Sequence, residues 1–258
     1  MPDRIIYSLC PLCDSPRFEH HVDANCSGHG LYVASLSPHM RWLRCTSCEH
    51  VFTEGYYTDT ACALIYSRTN SNQIVGNDLE GQRYVSSRIV EKIVPHAAGG
   101  RWLDVGFGNG SLLLTAQEYG FEPVGLDLRP QTAQALQSLG VPAFCSDITL
   151  YSPGNRFNVI SMADVIEHMP FPKQGLEAAH RLLGDDGILF LSMPNSESAV
   201  WRDLDARNTN PYWGELEHYH NFSRSRLYLL LATFGFEPIR YGISERYRAC
   251  MEVVARKL

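Results

Sequence analysis

Asp104-Val105-Gly106-Phe107-Gly108-Asn109-Gly110 follows a short apolar run at 101–105 and precedes a helical pattern at 111–119 that Gly120 stops. Strand, glycine-rich turn, helix is the order in which an open α/β sheet builds a ligand crevice at the carboxyl ends of its strands. Glycines there let the backbone take positive φ and approach a ligand closely. The first N–H groups of the next helix point into the same crevice. The spacing is G-x-G-x-G, and Ser111 stands where a dinucleotide fingerprint has its third glycine or alanine. Asp104, two residues before the first glycine, would repel a pyrophosphate and suits a ligand carrying an ammonium group.

Outward from this turn, strand and helix patterns alternate. Strands are predicted at 123–128, 143–146, 157–163 and 187–193. Helices begin at Pro130, whose missing N–H costs nothing there, and at 176–183, closed by Gly184. A helix at 223–234 and strands at 237–241 and 250–255 follow, the last two close enough to pair antiparallel. Such alternation predicts a parallel sheet covered on both faces. Asp127 ends the second strand, 127 − 104 = 23 residues after Asp104, and can accept two hydrogen bonds from a ribose diol. Asp147 ends the third, placed to accept from an exocyclic amine. Three acids at successive strand ends suit a cationic adenosine ligand with a free amino-acid moiety.

Leu103–Gly110, G-L-D-L at 125–128, S-D-I at 146–148, D-V-I-E-H at 164–168 and L-L-G-D-D-G-I-L-F-L-S-M-P-N at 182–195 together resemble the class I S-adenosylmethionine-dependent methyltransferases. The resemblance implies a Rossmann-like, seven-stranded, doubly wound sheet whose last strand is antiparallel. It implies that Asp104 and the backbone of Gly106, Phe107, Gly108 and Gly110 hold the methionine part. Asp127 with Leu128 would hold the ribose, and Asp147 with Ile148 the adenine. Met162 and Ala163 would lie near the sulfonium. Phe107, where a smaller residue is common, and Asn158, where Asp is, depart from the pattern.

The chain has 258 residues, with 22 basic against 28 acidic. That excess of acid disfavours a broad nucleic-acid-binding face. The start lacks the apolar run of a secretory signal and no stretch is apolar enough to span a bilayer, so a cytosolic protein is expected. Cysteines in that compartment point to metal or free thiols. Cys10-Pro-Leu-Cys13 and Cys45-Thr-Ser-Cys48 supply four thiolates in the pattern of a closed structural Zn²⁺ site, with His20, His21 and His29 as less supported substitutes. The predicted organisation is a small zinc-ribbon-like module (1–55), a helical connector (56–95) and the methyltransferase domain (96–258), with a lid-like insertion near 196–222. Zinc knuckles before this fold resemble the deoxysugar C-methyltransferases and the zinc-ribbon ribosomal-RNA guanine methyltransferases. The long loop and the C-x-x-C-E-H-V-F run favour the first group, and the net charge disfavours the second.

On the acceptor side, an in-line displacement at a sulfonium needs alignment, and a base where the nucleophile starts protonated. Asp164-Val-Ile-Glu167-His168 would share one face if helical. The ubiquinone-pathway O-methyltransferases carry a similar E-H stretch, linked there to a metal; the plainer reading is that Glu167 and His168 shape the mouth of the cofactor site. The segment 210–222, rich in aromatic residues and histidines without clean periodicity, has the character of a lid. His168, His218 and His220 are the candidate bases. The expected reaction is O- or C-methylation of a small metabolite such as a sugar or a quinone-like ring. The alternative is a protein or RNA acceptor recruited through the cysteine module.

Overall fold

The computed structural model describes residues 3–68 and 70–258. Met1, Pro2 and Thr69, which fall in the predicted module and connector, lie outside the described residues. In chain order the elements are β1 (Arg4–Ile6), β2 (Phe18–Asn25), β3 (His39–Cys45), β4 (Val51–Thr53), β5 (Gly55–Tyr57), α1 (Asp59–Tyr66), α2 (Leu79–Ile93), β6 (Gly100–Val105), α3 (Ser111–Glu118), β7 (Phe121–Asp127) and α4 (Pro130–Ser138). There follow β8 (Ala143–Cys145), β9 (Phe157–Ala163), α5 (Pro172–Leu182), β10 (Leu183–Pro194), α6 (Ala199–Ala206), β11 (His220–Asn221), α7 (Arg224–Thr233), β12 (Phe236–Ile243) and β13 (Cys250–Lys257).

The large sheet has seven strands in the order β12-β13-β10-β9-β6-β7-β8. β10, β9, β6, β7 and β8 pair in parallel, and the last strand, β13, runs antiparallel to both β10 and β12. Its strands are apolar at consecutive positions because both faces are covered. Leu103, Ile160, Leu189 and Val253 point to one core, with α5 and α7. Their neighbours Trp102, Val159, Ile188 and Val254 point to the other, with α2, α3 and α4. This period of two along each strand is what makes a doubly covered sheet from near-continuous hydrophobic runs.

The structure corrects one boundary. Gly184 does not close α5; the chain is already extended at Leu183, whose ψ is 142°. Leu183 pairs with Phe157, and the register slips before Ile188 pairs with Val159. Gly187 lies so close to Gly184 that a Cβ would sit 2.9 Å from its carbonyl oxygen. The two glycines therefore serve an irregularity at the start of β10.

A second, four-stranded sheet has the order β11-β4-β3-β2, and β1 pairs with β5 as a separate ribbon. Its edge strand β11 comes from the predicted lid, some 170 residues beyond its neighbour: His220 pairs with Phe52 and Asn221 with Val51. Tyr7, Leu12, Leu43 and Phe52 join the same apolar cluster as Leu103, Met193 and Phe222 of the large domain. The N-terminal strands are thus cored jointly with the large sheet.

Candidate functional site

The cleft lies at the carboxyl ends of β6, β7 and β9. Gly106, Gly108, Asp127, Leu128, Asp147 and Ile148 line it, so six of the predicted cofactor contacts share one wall. Gly106 has φ +65°, and a Cβ there would meet Val165 at 2.9 Å; Gly108 has φ +54° and faces open cleft. No side chain fits the first without displacing its neighbour, and one at the second would fill the crevice.

The other predicted contacts are placed behind this wall. Asp104 is 3% exposed, beneath the loop. Trp102 donates from Nε1 to the Ser161 hydroxyl at 2.8 Å, and Ser161 donates in turn to Asp104. Burial pushes the Asp104 carboxyl up to about 7, against the pull of that hydrogen bond. Phe107 points away from the cleft into the core, against Gly125, which explains why a large residue is tolerated in the loop. Gly110, at φ +80°, packs on Leu136, and Met162 and Ala163 are buried.

Asp127 and Asp147 differ in what already occupies them. Asp147 accepts at Oδ1 from the backbone and hydroxyl of Thr149, at 2.7 and 2.6 Å, which fixes its turn. Asp127 is gripped by Arg129: Nε to Oδ1 at 2.9 Å, a terminal nitrogen to Oδ2 at 3.0 Å, and the backbone N–H to Oδ1 at 2.9 Å. Sequence reasoning missed Arg129. The available signal was the spacing Asp127-x-Arg129 before Pro130, which folds a side chain back on a strand-end carboxylate. It also missed Tyr66 and Gln73, which reach the cleft from the connector.

The D-V-I-E-H stretch forms a short 3-10 turn, Ile166–His168, with Asp164 strained at φ +56°. Asp164 and His168 line the cleft. His168 donates from Nδ1 to the Glu217 carbonyl at 3.0 Å, because that oxygen can only accept; its Nε2 is then the basic nitrogen. His218 packs edge-on against it, ring centroids 4.7 Å apart, and burial lowers its pKa well below the ordinary value. Glu167 is buried with neither carboxylate oxygen paired among the described residues, and burial raises its pKa well above normal. Glu167, His168 and His218 bring one ligand atom each within 4.8 Å.

His220 is corrected as a candidate base. It is fully buried away from the cleft, with Nδ1 3.1 Å from His50 Nε2 and Nε2 2.9 Å from the Met169 carbonyl. Burial lowers its pKa to about 3. Its bonds belong to a seam along 217–220. The Glu167 backbone carbonyl accepts from the Tyr219 N–H at 2.9 Å, and on the other side the Thr53 N–H donates to the Tyr219 carbonyl at 2.9 Å. The lid is thereby held between the cleft mouth and the small sheet.

The four cysteines converge. Sγ of Cys10 lies 3.7 Å from that of Cys48, Cys13 lies 3.6 Å from Cys45, and all four sulfurs fall within 4.8 Å. A tetrahedron with Zn–S bonds of about 2.3 Å has edges of about 3.8 Å. Each knuckle closes alike: the residue after its second cysteine, Asp14 or Glu49, is left-handed and donates its N–H to the first cysteine's carbonyl at 2.9 Å. The alternative ligands are placed elsewhere: His29 pairs with Glu215 at 3.0 Å, His20 with Asp23 at 3.0 Å, and His21 packs on Trp213.

A methyltransferase domain family matches residues 79–241, more than half of the chain. The chain belongs to this family. It is 29% identical over 127 residues to a ubiquinone biosynthesis O-methyltransferase of Xanthomonas oryzae, covering 46% of this chain and 50% of that protein. The protein of that name from Pseudomonas aeruginosa is 33% identical over 107 residues, covering 38% and 46%. The chain thus spans about half the length of the curated relatives it matches. Among solved structures, Synechocystis magnesium protoporphyrin IX methyltransferase with bound S-adenosylhomocysteine (SAH) superposes with a TM-score of 0.56 at 17% identity, covering 69% of this chain and 84% of that one. The 1,6-didemethyltoxoflavin-N1-methyltransferase of Burkholderia thailandensis gives 0.52 at 21%, covering 70% and 82%. At these identities the likeness is one of fold.

No described helix is long and apolar enough to cross a membrane.

Proposed function

We propose that this chain transfers a methyl group from S-adenosylmethionine to the oxygen or carbon of a small metabolite, in a cytosolic setting where a thiolate cluster stays reduced. The observation that carries the reading is the convergence of the glycine-rich turn with Asp127 and Asp147 on one cleft, with Asp104 buried beneath it. The methyl donor, when bound, supplies an electrophilic methyl on a positively charged sulfur. Asp127 accepts from the ribose hydroxyls, and Asp147 and Ile148 bound the adenine. Asp104, buried beneath the loop, would offer its negative charge to the ammonium. His168 accepts the acceptor's proton at Nε2, its ring held by the Glu217 carbonyl. Cys10, Cys13, Cys45 and Cys48 hold a structural Zn²⁺, whose closed ligand set leaves no position for chemistry. The contact of β11 with the small sheet points the module toward the lid, which favours a small-molecule acceptor over a recruited macromolecule. Tritiated S-adenosylmethionine in a cell lysate tests this: label in the small-molecule fraction supports it, and label confined to protein or RNA contradicts it.

His168→Ala lowers kcat by about 10²–10⁴-fold, the usual worth of a general base, and leaves SAH affinity within a few-fold. Steady-state kinetics beside calorimetry reads both. Asp104 must be ionised to pair with an ammonium, and its carboxyl is pushed up to about 7 in the free protein. SAH affinity therefore rises with pH, by close to tenfold per unit at most below about 7, and levels above it. Stability of the free protein runs the other way. A raised carboxyl favours the fold at low pH, and that contribution is lost as pH rises through about 7. Calorimetry between pH 5.5 and 8 checks it; Asp104→Asn binds more weakly and flattens the profile.

A further inference from the structure

Resting on the cofactor reading above, we propose that Arg129 is a displaceable plug in the ribose subsite, which a bound adenosine moiety expels from Asp127 and hands to Glu217, drawing the lid onto the cleft. Arg129 and Asp127 form a forked pair, with side chains 15% and 5% exposed, on the wall where the ribose hydroxyls would bind. A carboxylate receiving both prongs of a guanidinium and a backbone N–H has little capacity left for a diol. The cleft's free volume is about 180 Å³, small beside the roughly 300–1,000 Å³ of ligand clefts, and Arg129 lines it. Arg129 is the long, unbranched side chain in the way.

The route is also present. The remaining terminal nitrogen of Arg129 donates to Gln73 Oε1 at 3.2 Å, so the same guanidinium pins the connector over the turn. Glu217 lines the same cleft from the lid, and its charge adds to that of Asp127 in holding Arg129 protonated. Glu217 has no ion-pair partner among the described residues. Its backbone carbonyl holds His168, so a guanidinium that moves to Glu217 steadies the segment that orients the proposed base. Arg129 is in this account a positioning residue that couples cofactor occupancy to formation of the acceptor site.

The test separates this from an ordinary structural ion pair, because the two partners have opposite effects on binding. Arg129→Gln frees Asp127 and tightens SAH by roughly fivefold, the worth of a partly buried ion pair, whereas loss of Asp127 weakens it. Hydrogen exchange then reads the lid. Segment 217–221 gains protection when SAH binds the wild-type protein, and that gain is lost in Arg129→Gln and in Glu217→Gln. Thermal melts control for folding, and Arg129→Lys, which keeps the charge without the fork, gives an intermediate tightening if the glutamine variant folds poorly. Unchanged or weaker SAH binding by a folded Arg129→Gln overturns the plug. Tighter binding with lid protection intact overturns the hand-over. Wild-type protein that does not bind SAH overturns the cofactor reading itself, and this inference with it.

Discussion

Asp127→Ala lowers the affinity for SAH on the order of 100-fold. Two hydrogen bonds from a ribose diol to an ionised carboxylate are each worth about 1.5–3 kcal/mol, and about 3 kcal/mol of net loss is a factor of roughly 100 in Kd. The carboxylate is 6% exposed at the end of β7, so water does not stand in for it. The variant also releases Arg129, whose only carboxylate contact within 4 Å among the described residues is Asp127. Part of the measured loss therefore comes from a guanidinium left in the cleft. Asp127→Ala/Arg129→Gln separates the terms, recovering the part due to the stranded cation and keeping the part due to the missing acceptor. Calorimetry with SAH reads both; a single variant binding within a few-fold of wild type would remove Asp127 from the site.

Loss of zinc disables the lid before it disables the large sheet. Wild-type protein should carry one zinc per chain, and Cys48→Ser should lose it while Cys62→Ser, outside the cluster, keeps it. Structural zinc contributes about 10–16 kcal/mol in small zinc modules, comparable with or above the ~5–15 kcal/mol that holds a typical domain together. The small sheet, joined at both knuckles, is not expected to survive that loss. The consequence travels through β11. His220 and Asn221 pair with Phe52 and Val51, Trp42 donates to the Trp213 carbonyl at 2.9 Å, and His29 pairs with Glu215. All three contacts fall on the segment whose Glu217 carbonyl orients His168. Hydrogen exchange on Cys48→Ser should show 18–57 and 217–221 deprotected while β6, β7 and β9 stay protected. SAH binding should survive within a few-fold, and turnover should be lost. Uniform deprotection of both sheets would contradict this division.

The parts legible in the sequence were those set by local rules. Pro130 starts α4, the strand-end acids fall at one rim because each strand stops where its apolar run stops, and a C-x-x-C pair carries its own turn geometry. Illegible were the facts that depend on long-range pairing. His218 and His220 differ by two residues and are alike in type. Yet His218 abuts His168 at the mouth, whereas His220 is clasped by His50 and Met169, because β11 joins a sheet begun near residue 18. Nothing near residue 220 encodes that partner. Phe107 stands where a smaller residue is common; only the packing of Gly125 beneath it shows where the ring goes. Asp147 lines the cleft as expected and also fixes its own turn through Thr149, which a lone strand-end acid does not reveal.

If the three strand-end acids hold S-adenosylmethionine, the cleft takes SAH and rejects NAD. Isothermal titration of folded, zinc-loaded protein at pH 8 with SAH, and with NAD as control, tests it most directly. One micromolar site for SAH and none for NAD are expected. No heat from SAH, or equal binding of NAD, would contradict it.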